Sequence, residues 1–408
     1  IGNLSNKNSK RTLNINNLLV MPGAIDTQVH FREPGLTHKE DIFHGTMGAV
    51  LGGVTSIFEM PNTKPPTTNE HELERKFKIA EKKAFCNYSF FVGASKENID
   101  DLNKLESYPG CCGVKIFMGS STGNLLVEDD YNVRRILAKA KKMVAVHSED
   151  EYRLAEQKKK FSKKNLKVSH HPKIRDVKSA LLSTERLLDA AKESNKKIHI
   201  LHLSTLDEVK LLALNKNIAT CEATPQHLFF SSPECYQSLG TFAQMNPPIR
   251  DKSHRDMLWE GISKGIIDVV GSDHAPHTIE EKKQKYPDSP SGMTGVQTLL
   301  PIMLNFVNKG KLSIFDVVRL LSVNPCNIYK VMNKGKVDIG YDADLTVVDL
   351  NKEFRISNDW IKSRSQWSPY DNLKIKGMPI HTIINGKIVM SENEIVSKPS
   401  GKGINFSY

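Results

Sequence analysis

Eight short apolar, β-branched runs recur along the 408 residues, each separated from the next by a longer stretch. They are AIDTQVH (24–30), VTSIFEM (54–60), YSFFVG (88–93), CGVKIFM (112–118), MVAVHS (143–148), IHILHLS (198–204), NIATCEAT (217–224) and IIDVVGSD (266–273). Such runs read as strands, while intervening segments such as NVRRILAKAKK and VKSALLSTERLLDAAKES have the three-to-four-residue apolar spacing of amphipathic helices. Eight strand–helix alternations predict an α/β fold closed into a parallel (β/α)8 TIM barrel; an open sheet usually has fewer strands and must protect two edges. The barrel is expected over 21–334, with the helical segment 313–333 completing it. A small β-rich domain is expected from both chain ends, 1–20 with 335–397, because GKVDIGYDADLTVVDL and IHTIINGKIVM carry hairpin turn signals at Gly340 and Asn385-Gly386. Residues 398–408 read as a C-terminal tail.

Composition narrows the function classes. The hydrophobic and charged fractions, 39% and 25%, are those of an ordinary globular protein. No apolar run approaches the roughly 18 residues of a membrane span, so no membrane partner is expected. Six Cys without repeated spacing make neither a disulfide framework nor a CxxC metal site. Reduced thiols and a start without an apolar signal core fit a cytoplasmic protein, and the missing initiator Met fits a trimmed N-terminus. The net charge of +11 raises the question of nucleic acid, but the Lys residues are scattered over segments such as KFKIAEKK and EQKKKFSKK, without interleaved aromatics. A solvated basic surface is expected, with no nucleic-acid partner.

In a TIM barrel the chemistry gathers at the C-terminal ends of the strands. His30, Lys115, His147, His202 and Asp273 each end, or nearly end, one of the apolar runs. Any one of these His could be a hydrogen-bonded packing residue; together with Asp273 they suit a divalent transition metal such as zinc. Strand alternation places Asp26, Gln28, His30 and Arg32 on one face of the first run. It also sets His199 and His202 on opposite faces, with His202 inward and His199 a satisfied packing residue. His274 faces away from Asp273 and reads as structural. Asp273 is expected to shuttle a proton during attack on an amide, its alternative being a helix cap.

Lys115 is the most informative member. An ammonium between Val114 and Ile116 is costly if charged and unpaired, and burial favours the neutral amine. A neutral amine can add CO2 and become a carbamate, an anionic two-oxygen ligand able to bridge two cations. The alternative is a salt bridge to a carboxylate.

The motifs PGAIDTQVHFREPG, EMPNTKPPT, GVKIFMGSSTG, VAVHSED, HILHLST, EATPQHL, QMNPPIR, VVGSDHAPH and SPSGMTG, spanning about 18–395, resemble the metal-dependent hydrolases of the amidohydrolase superfamily. The resemblance is to the cyclic amidohydrolase branch of dihydroorotases, allantoinases and hydantoinases. Arg two residues after the metal His, followed by MPNT, is the dihydroorotase pattern; here these are His30, Arg32 and Asn62. The resemblance implies zinc, one or two ions per chain, with N6-carboxylysine at Lys115. One position is formed by Lys115, His147 and His202, the other by His30, Lys115 and Asp273. It further implies that Arg32, Asn62 and His277 hold a substrate carboxylate, while Asn246 and the Ser291-Gly292 backbone contact the ring. The implied reaction is reversible cyclisation of N-carbamoyl-L-aspartate to dihydroorotate in pyrimidine biosynthesis, in a homodimer. One departure stands out: the branch shows HxH on the first strand, and this chain has Gln28-Val29-His30. A neutral carboxamide is a weaker zinc ligand. Gln28 therefore leaves open a working site with Gln28 as ligand or bystander, a single-metal site, or a catalytically impaired partner of aspartate transcarbamoylase. An allantoinase or hydantoinase is the other alternative. The Pro/Gly/Ser-rich stretch 282–295 is the candidate lid.

Overall fold

The second barrel strand, VTSIFE, is buried at all six positions, as expected of a parallel strand covered by helices outside and side chains within. The computed structural model describes residues 2, 8–9, 12–119, 124–162 and 165–408. Part of the expected N-terminal contribution to the small domain (1, 3–7, 10–11) and residues 120–123 of the GVKIFMGSSTG motif lie outside the described residues.

Strand β1 (Leu19–Pro22) precedes the barrel strands β2 (Ala24–Val29), β3 (Val54–Glu59), β4 (Asn87–Gly93), β5 (Cys111–Phe117), β6 (Met143–His147), β7 (Ile198–Ile200), β8 (Ala219–Ala223) and β9 (Val269–Val270). Strands β2 to β9 pair in chain order and in parallel. The ring is completed by a parallel bridge between Val29 and His274, where the His30 N–H donates to the His274 carbonyl at 2.7 Å. The Ser272 N–H donates to the Asp26 carboxylate at 2.9 Å across the same seam.

A separate antiparallel sheet has the order β1-β10-β11-β12-β13, with β10 (Leu345–Arg355), β11 (Lys374–Ile384), β12 (Lys387–Ser391) and β13 (Glu394–Ile395). Asn385 and Gly386, at φ 50° and 76°, supply the two positive φ values of the β11–β12 turn. The helices follow simple rules. Val177–Glu193 starts where the Asp176 side chain accepts the Ser179 N–H, and it buries Ala180, Thr184, Leu187 and Ala191, spaced three to four apart.

The floor of the barrel interior is apolar. Phe58, Phe91, Cys112, Ala145 and Leu201 pack there around Tyr329, whose ring lies 5.0 Å from that of Phe58. The stretch expected as a tail lies under this floor: the Tyr88 N–H donates to Lys402 O at 3.0 Å, and the Ile404 N–H to Tyr88 O at 3.1 Å.

One expectation fails here. His199 does not turn away from His202: its ring packs on Tyr329 inside the barrel at 5.6 Å, though it is the hydrogen-bonded packing residue expected, its Nδ1 2.8 Å from Thr220 Oγ1 and its Nε2 3.8 Å from Glu222 Oε2. The reason is backbone geometry. Strand β7 stops at Ile200, and His202 has φ +38°, so strict alternation ends before it. Asp273 at +44° and Arg32 at +59° leave their strands in the same way. Non-glycine residues in this region cost on the order of 1–3 kcal/mol, and such strain collects at functional sites.

Candidate active site

All twelve residues singled out from the sequence line one cavity of about 280 Å3 at the C-terminal mouth of the barrel. They are Gln28, His30, Arg32, Asn62, Lys115, His147, His202, Asn246, Asp273, His277, Ser291 and Gly292, joined by Phe117, Ala275 and Pro290.

Lys115 projects from β5 two residues after Gly113, which has φ 151° and approaches the Met143 carbonyl so closely that a Cβ would meet it at 2.2 Å. Only glycine lets β5 and β6 come together at that point. The Lys115 ammonium is fully buried, has no hydrogen-bond partner among the described residues, and sits 4.5 Å from the centre of the Phe117 ring. Burial pushes its pKa down to about 7, against the opposing pull of Asp273 and Glu222. A carboxylate salt bridge, the alternative left open by the sequence, is not formed among the described residues.

Two histidine pairings flank it. His147 Nε2 lies 2.8 Å from Glu149 Oε2, which places the proton on Nε2 and leaves Nδ1 as a lone pair. That Nδ1 faces His202 Nε2 at 3.0 Å, while His202 Nδ1 has no partner. Burial lowers the pKa of both rings, that of His202 strongly. Burial alone would raise Glu149, but Arg175, hydrogen-bonded to it, and His147 hold it well below the usual carboxylate range.

On the opposite side His30 Nδ1 contacts Asn62 Oδ1 at 2.6 Å, and its Nε2 faces Asp273 Oδ1 at 3.2 Å. With the proton on Nδ1 for Asn62, a lone pair and a carboxylate oxygen confront each other. Gln28 turns its amide nitrogen to Asp273, donating at 3.0 Å, while its Oε1 stays buried without a partner. No helix begins at Asp273, so it is not a cap; the next helix starts at Ile279.

The third wall is cationic. Arg32 Nη2 lies 3.4 Å from His277 Nε2, which also contacts Ser291 O at 3.0 Å; His277 Nδ1 lies 3.1 Å from Lys39 Nζ. Burial, then Arg32, Lys39 and Lys282, push the His277 pKa well below its usual value, and burial lowers Arg32 to about 10. Gly292 is required by a φ of 146° and by the Ala275 carbonyl, 2.2 Å from where a Cβ would stand.

Several participants escape the sequence reading. Glu149 and Arg175 orient His147; His171 Nε2 lies 3.0 Å from Asn246 Oδ1 and holds that amide; Lys39 braces His277. The adjacent pair His170-His171 was the one available signal. The stretch expected as a lid, 282–295, is anchored to the cavity wall at two points: Gln244 Nε2 donates to Ser289 O at 2.9 Å and to Ser291 Oγ at 3.0 Å. Among the described residues, no three His, Cys, Asp or Glu side chains form a set that could hold an ion unaided.

A barrel of this order, with imidazoles, an aspartate and a partnerless lysine at its mouth, has the architecture of a hydrolase acting on amides. The amidohydrolase family profile matches residues 19–389. Two similar proteins are the dihydroorotase of Pyrococcus horikoshii, 37% identical over 95% of this chain and 84% of that protein, and the dihydroorotase of Methanosarcina mazei, 34% identical over 94% and 86%. The chain belongs to the amidohydrolase family and, within it, to the dihydroorotase group. Among solved structures, the L-hydantoinase (dihydropyrimidinase) of Arthrobacter aurescens superposes with a TM-score of 0.94 at 27% identity, covering 99% of this chain and 92% of its own. The dihydropyrimidinase of Brevibacillus agri shares the fold, with a TM-score of 0.88 at 23% identity over 96% and 90%.

Proposed function

We propose that this chain is a zinc-dependent dihydroorotase that interconverts dihydroorotate and N-carbamoyl-L-aspartate, the ring-closing direction serving pyrimidine synthesis. One observation carries the reading: Arg32, Asn62 and His277 share a cavity with His30, Lys115, His147, His202 and Asp273. Dihydroorotate bears a carboxylate, which simple hydantoins and allantoin lack, and a guanidinium beside a neutral imidazole suits it.

The donor set fits zinc. His147 Nδ1 and His202 Nε2 lie 3.0 Å apart and His30 Nε2 lies 3.2 Å from Asp273 Oδ1, four atoms that can each turn a lone pair to a cation, and the buried Lys115 amine has no partner among the described residues. Such an amine, once unprotonated, adds CO2 and releases a proton to give N6-carboxylysine, an anionic oxygen donor. Lys115 in that form, His147 and His202 would hold one zinc; His30, Lys115 and Asp273 would hold a second more weakly, with Gln28 a bystander donating to Asp273. When bound, the ion supplies polarisation of the ring amide and acidification of the attacking water.

The side chains do the rest. The Asp273 carboxylate takes the water proton and delivers it to the ring nitrogen as the C–N bond breaks. Arg32, Asn62 and His277 hold the substrate carboxylate, and Asn246 with the Ser291-Gly292 backbone holds the ring, fixing the scissile amide against Asp273.

The test is ring opening of dihydroorotate, hydantoin and allantoin by protein loaded with zinc under bicarbonate. Dihydroorotate is expected to be preferred, and Arg32→Ala to lower its kcat/KM by about 10- to 100-fold, the loss of a charged hydrogen bond, while sparing neutral rings. Equal turnover of neutral rings, insensitive to Arg32→Ala, overturns the reading. It would favour a hydantoinase instead, the second reading that the 0.94 superposition supports.

A further inference from the structure

Lys282 is fully buried, yet no carboxylate pairs with it among the described residues. Its ammonium donates instead to three backbone carbonyls: Gln244 at 3.1 Å, Pro290 at 2.9 Å and Gly292 at 3.0 Å. Three N–H donors meet three acceptors, so the lysine is saturated. The face of Trp367 lies 5.7 Å away, and the Trp367 indole N–H donates to His277 O at 2.8 Å.

The three carbonyls come from the two segments that form one wall of the cavity. Gln244 lies two residues before Asn246, and Pro290 and Gly292 flank Ser291. The same Gln244 carbonyl also accepts the Gly292 N–H at 2.9 Å, and the Ser289 hydroxyl donates to Gln244 Oε1 at 2.7 Å. Lys282 is the hub of this knot, and it touches none of the reacting groups. A buried cation without a counter-ion is costly; a fold that only needed to tie down a loop could use a neutral amide. Burial without a counter-ion pushes the Lys282 pKa down to about 7. Three carbonyl acceptors favour the charged form, since only the ammonium offers three N–H donors, and its charge-assisted bonds are stronger than neutral ones.

We propose that Lys282 is a positioning residue: by clamping the Gln244, Pro290 and Gly292 carbonyls it sets the Ser291-Gly292 wall against Asn246 at the spacing the ring of a cyclic amide substrate requires. This rests on the reading of the cavity as the ring-opening site.

Kinetics on the zinc-loaded protein test it, with Lys282→Met removing charge and donors at similar volume and Lys282→Gln keeping two donors. A wall misplaced by about 1 Å costs on the order of 100-fold, so Lys282→Met should lose about 100-fold in kcat/KM, chiefly through KM, at unchanged zinc content. Lys282→Gln should fall between it and the parent. Combined with Ser291→Ala, the loss should be clearly less than the product of the single losses, since both act through one wall. A lower unfolding temperature with parental KM and kcat, or effects of Lys282 and Ser291 that multiply, overturns the proposal. If Lys282→Met does not fold, Lys282→Gln combined with Ser291→Ala measures the same coupling. A parent protein that opens hydantoin and not dihydroorotate refutes the function reading alone; the series is then run on hydantoin, where the same loss supports the clamp and its absence overturns it.

Discussion

His147 Nδ1 and His202 Nε2 face each other at 3.0 Å, and neither is drawn away by another polar group. The far nitrogen of His147 is taken by Glu149, while that of His202 is unpartnered. Two imidazoles so arranged can both turn a lone pair to a cation once the proton between them moves to the free Nδ1 of His202. Zinc with bicarbonate should therefore raise the unfolding temperature of metal-stripped protein. The gain should be about 2.7 kcal/mol when free zinc exceeds the Kd 100-fold. Differential scanning calorimetry reads the shift, and His202→Ala should remove most of it. An unchanged midpoint in the parent protein would mean the pair is structural.

Glu149 makes a separate prediction, because it acts through His147. It is fully buried between His147 and Arg175. Glu149→Gln keeps the shape but loses the charge that fixes the imidazole proton, so zinc affinity should fall about 10- to 100-fold. Arg175→Met strands the carboxylate, a change that costs about 3–5 kcal/mol when a buried pair is broken one-sidedly. Competition with a chelator measures the first effect and urea unfolding the second. The first variant should be hurt mainly in metal binding, the second mainly in stability.

How far the sequence carried these conclusions depended on the range of each interaction. The eight strands were legible because period-two and period-3.6 patterns are local. His30, Lys115, His147, His202 and Asp273 were legible because each breaks an apolar run at its end. His199 was misplaced because alternation holds only while the chain stays extended, and His202 leaves that region with φ +38°. Glu149, His171 and Lys282 were missed for a different reason. Glu149 lies only two residues from His147, but its Arg175 contact is 26 residues away, and the partners of His171 and Lys282, Asn246 and the Gln244 carbonyl, are 75 and 38 away; nothing local marks those long-range pairings. The 282–295 stretch has the composition of a loop, and composition says nothing of the clamp that holds it.

Gln28 invites a substitution that adds rather than removes. Its amide donates to Asp273 at 3.0 Å, occupying a carboxylate oxygen that also faces His30. Gln28→His would replace that donor with an imidazole able to offer a lone pair beside His30 and Asp273. Zinc per chain, by elemental analysis after dialysis against equal free metal, should rise toward two in the variant and lie nearer one in the parent. Two full equivalents in the parent would show that the carboxamide does not weaken the position.

The last prediction concerns acid. His171 is a neutral ring in the folded protein: burial, then Arg175, lowers its pKa to about 3, from an ordinary value of 6.5. The unfolded chain therefore takes up a proton below pH 6.5 that the folded chain refuses. Stability from the neutral ring is complete above pH 6.5 and is lost as pH falls toward 3. The whole-protein pH profile will not isolate this, because Asp26 and Glu222 are raised by burial to about 7 and 8 and act with the opposite sign over part of the window. The difference between the parent and His171→Gln does isolate it. Gln can still donate toward Asn246 and Met245 O, which His171 Nε2 contacts at 3.0 Å each, and it does not titrate. The parent's advantage should be greatest at pH 8 and should shrink by about 1.4 kcal/mol for each pH unit below 6.5, one proton's worth. Urea unfolding at pH 8, 6.5 and 5.5 gives the three points. A difference independent of pH would mean that His171 is already protonated in the fold, with Asn246 held by a charged ring.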